Sequence, residues 1–247
     1  MKKLILLVPI LALAACEGSI ANAVAKGSKS SFSGGTEFGA TTIDPGEFKG
    51  VTLAGPDDVI FTTGPEFSLR AEGDADALEQ LRYKITDGQL KIGRDNEGVS
   101  WKVGKDSAVV YVTAPALNSA KLAGSGDMEV DEMSGESASL SLAGAGNINV
   151  AKVESDSLKA KIAGSGDVRV AGAVDSASVS IAGSGDIRGK DLKAESATIK
   201  IAGSGNVTLS SDGSVDAKVM GSGDIRVHGS AKCKSKTMGS GEINCGD

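Results

Sequence analysis

The sequence predicts an all-β fold: a parallel β-solenoid of about seven coils of 18–20 residues, preceded by an N-terminal β-rich capping region. Three observations lead there. A Gly-Ser-Gly motif followed by an acidic residue or Asn, with Ala145 replacing Ser in one copy, recurs with its first glycine at Gly124, Gly144, Gly164, Gly183, Gly203, Gly221 and Gly239, at spacings of 20, 20, 19, 20, 18 and 18 residues. So regular a period is the signature of a solenoid. On both sides of each motif apolar residues alternate with polar ones: Leu158, Ala160 and Ile162 precede Gly164 on one parity, with Lys159 and Lys161 on the other, and Val168 and Val170 flank Arg169 after it. A period of two on either side of a tight turn belongs to half-buried strands and cannot be met by a helix. Finally, the 5 Phe, 2 Tyr and 1 Trp all lie at or before Tyr111, so the repeats must pack with Ala, Val, Ile and Leu alone.

The first segment, "MKKLILLVPILALAAC", carries two lysines, an apolar run from Leu4 to Ala15 and then Cys16. The run is short for a membrane span, and its order of charge, apolar stretch and small residues is that of a secretory signal over residues 1–15. Leu13-Ala14-Ala15-Cys16 resembles the bacterial lipobox, which implies that Cys16 becomes the lipidated first residue of the mature chain. Cleavage after Ala23 is the rival reading and would give a soluble secreted protein. One acyl chain anchors only marginally, so the multiply acylated cysteine that the resemblance implies would be a firm tether. Glu17 follows the cysteine, where Asp is associated with inner-membrane retention, and this points to the outer membrane. Residues 16–40 are rich in Ser, Gly and Ala with little periodicity and read as a flexible spacer with a reach of about 25–30 Å.

Residues 41–117 read as strands of a less repetitive kind. "GVTLAG", "DVIFTTG", "FSLRAEG", "YKITDGQLKIG" and "AVVYVTAP" alternate, are rich in β-branched residues and are bounded by Gly, Pro and Asp. A short helix is expected at 76–81. Stacked coils expose an apolar end, so this aromatic-bearing region is expected to cap the solenoid on its N-terminal side.

Residues 118–247 hold the repeats. The two glycines of each motif are expected to supply positive φ at a sharp corner. Asp127, Asn147, Asp167, Asp186, Asn206, Asp224 and Glu242 follow them, in a place where Asp and Asn bond nearby backbone; stacked one per coil, they form a ladder. Met133, Val153 and Leu192, nine residues past their glycines, indicate a third small face that the two 18-residue coils are expected to lose. Cys233 and Cys245 sit six residues before and six after Gly239, on inward positions of the last coil, and are expected to form a disulfide in an oxidising periplasm.

The stretch "GPDDVIFTTGPEFSLRAEGDADALEQL", the following "DGQLKI", the junction "VYVTAPALNSAKLAGSGDMEV" and the serial "AGSGD" turns resemble the auto-transporter adhesin head GIN domain family of bacterial envelope proteins. The resemblance spans about Thr41 to Cys245. It implies a β-solenoid and an envelope location, and it transfers no catalytic residues.

Little in the sequence points to catalysis or to a cofactor. The single histidine, His228, gives a triad or a histidine metal site nothing to build on, and is expected at an exposed corner. The Gly-Ser-Gly turns lead into strands rather than helix N-termini, which sets them apart from phosphate-cradling loops. The acidic ladder has two readings, backbone capping or calcium binding as in nonapeptide β-rolls; the period here is about twice theirs, which favours capping. A net charge of -6, from 26 basic and 32 acidic residues, argues against nucleic acid. Three residues before each motif glycine stand Lys121, Ser141, Lys161, Ser180, Lys200, Lys218 and Lys236, all outward by parity. The row reads either as a solvated face protecting strand edges or, centred on Lys200, Lys218 and Lys236 and reinforced by Arg169, Arg188 and Arg226 beyond the turn, as a binding surface. Its partner would be an acidic glycan, lipopolysaccharide or another envelope protein. The function expected is thus a non-enzymatic, lipid-anchored envelope protein presenting a solenoid surface. A carbohydrate-active enzyme of the pectate-lyase-like β-helix type is the alternative.

Overall fold

Alternation on either side of each glycine turn becomes, in the computed structural model, a parallel β-solenoid of about six turns, bounded by the seven corner motifs. The structure describes residues 32, 34–39, 41–95 and 107–246, of which 71% are strand and 3% helix. The signal segment, Cys16 and most of the spacer lie outside them.

The cap contains β1 (Thr36–Glu37), β2 (Gly50–Gly55), β3 (Asp58–Thr63), β4 (Ser68–Gly73), helix α1 (Ala75–Gln80), β5 (Leu81–Thr86), β6 (Gln89–Arg94) and β7 (Ala108–Ala114). The repeats contribute β8 (Ser119–Gly124), β9 (Met128–Gly144), β10 (Ile148–Gly164), β11 (Val168–Gly183) and β12 (Ile187–Gly203). They end in β13 (Val207–Gly221), β14 (Ile225–His228), β15 (Lys232–Gly239) and β16 (Ile243–Cys245). From β8 to β16 every neighbour is parallel, and equivalent residues pair with equivalent residues: Leu142 with Ile162, Ile162 with Ile181, Ile181 with Ile201, and Ile201 with Val219. All five are buried, so the interior is a set of aliphatic columns in which like packs on like.

The corner glycines set how closely the coils approach. Gly164 has φ +139, and a Cβ there would lie 2.2 Å from the Gly144 carbonyl oxygen of the coil before. Gly166 has no positive φ, yet a Cβ on it would lie 1.9 Å from the Gly146 carbonyl oxygen. The expectation that both glycines serve backbone angles is corrected: the first gives the turn its angle, and the second is glycine because another coil's backbone occupies the space of its side chain. The third face is also subtler than expected. In the 18-residue coil the Leu192 position is skipped, but Ser211 pairs with Ala194 and stays buried, so this face narrows without vanishing.

The cap is more repetitive than it reads. Gly55 pairs with Gly124, and Val59 and Phe61 pair with Met128 and Val130, so β2, its turn and β3 are a degenerate copy of the repeat. Asp57 stands where later coils carry the second glycine. β6 and β7 stack beneath β2 and β3 in parallel register, and from the ends of these two strands come the three donors to the fully buried Asp57 carboxylate: Arg94 Nε at 2.9 Å, Arg94 Nη2 at 2.6 Å and the Ala108 amide at 3.0 Å. A buried carboxylate is tolerable only when so fully partnered. Antiparallel β4, β5 and β1 close this end, with Phe48 against Phe67 and Phe38 against Tyr83 edge to face. The spacer is shorter than its composition suggests, because Phe32 is buried and Thr36 and Glu37 pair with Tyr83 and Arg82.

The opposite end is left open. Ser235 and Thr237, on the inward parity of β15, pair with Ala217 and Val219 and are exposed, with no further coil over them among the described residues. A disulfide joins Cys233 to Cys245 across this coil, with Cα atoms 6.4 Å apart. Closing a loop of this size contributes on the order of 3 kcal/mol. Asp212 secures the next corner by accepting from the Ser230 amide and hydroxyl, each at 3.0 Å. These bonds, the amide's first, hold its carboxyl below the usual carboxylate range.

Two outcomes follow from this packing. Gly166→Ala must push two coils apart and is expected to cost about 1–3 kcal/mol in denaturant unfolding, whereas Ser165→Ala, which reproduces the Ala145 of the neighbouring copy, is expected to stay within about 0.5 kcal/mol of wild type. Asp212, whose folded pKa is depressed, contributes stability that is full above its unfolded pKa and lost as pH falls through the folded one. Amide exchange at Ser230, corrected for intrinsic rate, should therefore accelerate at acidic pH. In Asp212→Asn, which keeps an acceptor that does not titrate, this acceleration should disappear.

Candidate functional site

The acidic corner is a continuous hydrogen-bonded ladder. Asp58 Oδ1 accepts from the Asp127 amide at 2.8 Å, Asp127 Oδ1 from the Asn147 amide at 2.9 Å, and Asn147 Oδ1 from the Asp167 amide at 3.3 Å. The series continues through Asp186, Asn206, Asp224 and Glu242, with amide distances from 2.8 to 3.0 Å. The two Asn also donate Nδ2 to Asp127 Oδ1 at 2.8 Å and to Asp186 Oδ1 at 3.0 Å, so they strengthen the ladder besides diluting its charge. Arg188 bridges Asp167 at 2.8 Å and Asp186 at 3.2 Å. Side chains already bonded to amides and to a guanidinium cap backbone well and offer a cation little.

Sequence reading starts the ladder at Asp127 and misses Asp58, three residues past Gly55 just as Asp127 is three past Gly124. The signal was present, but Pro56 and Asp57 replace the Ser and Gly that advertise the other copies. A second ladder was also missed. Ser137, Ser157, Ser176, Ser196 and Ser214 stack in register, and the hydroxyls of Ser157, Ser176 and Ser196 donate to the Glu136, Asp156 and Asp175 carbonyls of the preceding coils.

Lys200, Lys218 and Lys236 form one exposed column, Lys218 pairing in register with both others. Towards the N-terminus the column continues through Ser180, Lys161, Ser141 and Lys121. Lys218 shares its charge with Asp216 at 3.1 Å, and Lys234 pairs with Asp216 one coil on. A shallow groove of about 710 Å³ runs beside this column, lined by the serine ladder with Lys159, Thr198, Asp216, Lys232 and Lys234. Arg226 is not part of this face. It follows the Gly221–Asp224 turn and stands in register with Thr208 and Asn244, so the corner separates it from the lysines. His228 is half-buried rather than exposed, and helps line a groove on the third face with Lys193 and Asp212.

The family model described as "Putative auto-transporter adhesin, head GIN domain" matches residues 47–231. No curated protein matches the chain. Among solved structures it is similar to a "putative adhesin" from Bacteroides fragilis, with a TM-score of 0.74 and 21% identity, covering 83% of this chain and 94% of that one. It is also similar to a "putative lipid binding protein" from Parabacteroides distasonis, with a TM-score of 0.64 and 24% identity over 83% and 94% of the two chains. A "putative adhesin" from Parabacteroides merdae follows at 0.60 and 18%, covering 84% and 95%. At these identities the structures speak for the fold alone. The capped solenoid, its serial glycine corners and the match over residues 47–231 together establish that the chain belongs to the auto-transporter adhesin head GIN domain family.

Proposed function

We propose that the chain is a non-enzymatic, lipid-anchored protein of the bacterial cell envelope whose solenoid binds a polyanionic partner, an acidic glycan or the phosphates of lipopolysaccharide. One observation carries the reading: Lys200, Lys218 and Lys236 stand in unbroken register on three successive coils, about 4.8 Å apart along the column. Like charges at that distance repel, and a partner's phosphates or carboxylates relieve the repulsion. Membership of an adhesin-like family supports a non-enzymatic role at the cell envelope. The lipobox-like Leu13–Cys16 supports a lipid anchor, and Glu17 supports the outer membrane. The carbohydrate-active alternative finds less support, since Asp216, the one carboxylate lining the groove beside the column, is ion-paired to Lys218.

The binding test uses residues 17–247, which include every core residue described, titrated with heparin as a soluble acidic glycan and with lipopolysaccharide across a salt series. Binding that weakens with salt, and that falls about tenfold when Lys200, Lys218 and Lys236 are changed together to Ser, is the expected result at roughly 0.5 kcal/mol per exposed pair. Equal binding by both proteins, or none by either at low salt, returns the column to a solvated face. The anchor is tested in the full chain. Cys16→Ser should leave the detergent phase in phase partitioning, and a partition like that of wild type removes the anchor from the reading.

A further inference from the structure

At the C-terminal tip the lysine column gains an apolar neighbour. Met220 and Met238 are each 53% exposed and are the only large apolar side chains so exposed among the described residues. They pair with one another in register on β13 and β15, at the position where earlier coils carry Ala163, Ala182 and Ala202. Alternation puts each Met on the same face as the Lys two residues before it, so Lys218, Met220, Lys236 and Met238 make a two-by-two patch, with Lys200 and Lys234 at its border. By contrast, Met128 and Met133 are buried in the core, so the apolar side chains at the tip are not needed to fill the solenoid. Neither methionine lines the grooves described above, and the patch lies on the open face of β13 and β15.

We propose that this tip docks on an anionic lipid surface: the lysines meet the headgroup phosphates while the two methionine side chains enter the layer beneath them. The inference rests on the polyanion reading of the lysine column and adds what recognises the apolar part of the partner. Three features select this occupant. A second copy placed face to face would bring Lys218 and Lys236 against their equivalents, with only Asp216 to offset them. A fully hydrated polyanion would leave both methionines in water, with nothing gained from their exposure. An apolar peptide side chain needs a pocket, and neither groove reaches the methionines, whereas a lipid layer accepts side chains that stand out from an open sheet face. The arrangement of basic heads around an apolar side chain is that of interfacial binding, in which burial and attraction to anionic headgroups add.

The experiment is co-sedimentation of residues 17–247 with vesicles of phosphatidylcholine alone or mixed with phosphatidylglycerol, at low and high salt, alongside heparin binding. Wild type is expected to bind the mixed vesicles at low salt and to leave the neutral ones in solution. Met220→Ser with Met238→Ser should weaken vesicle binding about tenfold, as expected for withdrawing two partly buried apolar side chains, and leave heparin binding unchanged. The Lys200, Lys218 and Lys236 triple variant should lose both. Far-ultraviolet circular dichroism checks that each variant remains folded, as exposed positions predict. Vesicle binding unchanged in the methionine variant overturns the inference, as does wild-type binding to heparin without vesicles, which leaves the polyanion reading standing. Loss of heparin and vesicle binding in wild type overturns both. Equal binding to neutral and anionic vesicles also overturns it, because the lysines then select nothing.

Discussion

The closest constraint in this molecule is backbone against backbone at the glycine corners. A carbonyl oxygen of one coil occupies the volume where a side chain of the next would begin, and this happens at both glycines of every motif. The register of the whole stack follows from it. Once the corners are nested, each residue sits over its equivalent in the neighbouring coil, which explains why a handful of aliphatic side chain types fill the interior and why surface residues fall into straight columns. From β8 onward the interior holds no aromatic ring, because a narrow coil repeated many times needs small side chains of nearly constant size; Phe61, in the first copy, is the ring nearest to it.

A stack of this kind has two ends and must treat them differently. The N-terminal end buries bulk: aromatic pairs, antiparallel strands and the Asp57–Arg94 pair cover the first coil. Arg94 comes from the end of β6, the strand stacked beneath β2, and the Ala108 amide from the start of β7, so the layer below supplies every donor Asp57 has. At the other end the chain thins its apolar content and places Ser235, Thr237 and lysines where another coil would attach. Exposed edge strands invite pairing with other chains, and lysine on the edge discourages it. At the last described rung stands Glu242, whose amide donates to Asp224 and whose longer side chain reaches no further rung among the described residues.

Much of this was legible in the sequence, and the misses have physical causes. Period and parity reveal the solenoid, the inward columns and the lysine row because a strand encodes its faces in alternation. Gly55 and Asp58 escape because Pro56 and Asp57 stand between them, where Asp57 is held by Arg94 and the Ala108 amide instead of leaving room for a glycine. Arg226 stands beyond the turn, as its place in the sequence indicates, but a sequence does not say how sharply the turn separates it from the lysine column. The serine ladder was invisible for another reason: a serine that bonds the neighbouring coil's carbonyl looks, letter by letter, like any solvated serine. Sequence patterns report which face a residue takes more faithfully than which neighbour it meets.

The acidic ladder also has a direction. At every rung the carboxylate or amide oxygen belongs to the earlier coil and the backbone donor to the later one. A finished layer therefore displays, on its growing side, the acceptor that the following layer needs, and the following layer lies only about twenty residues away in sequence. The cap is built from pairings that reach across many residues, whereas each repeat needs only the layer before it. Such a chain is suited to delivery N-terminus first, whether from a ribosome or through a pore, because each layer finds its template already in place and short-range closure keeps every step of growth inexpensive in entropy.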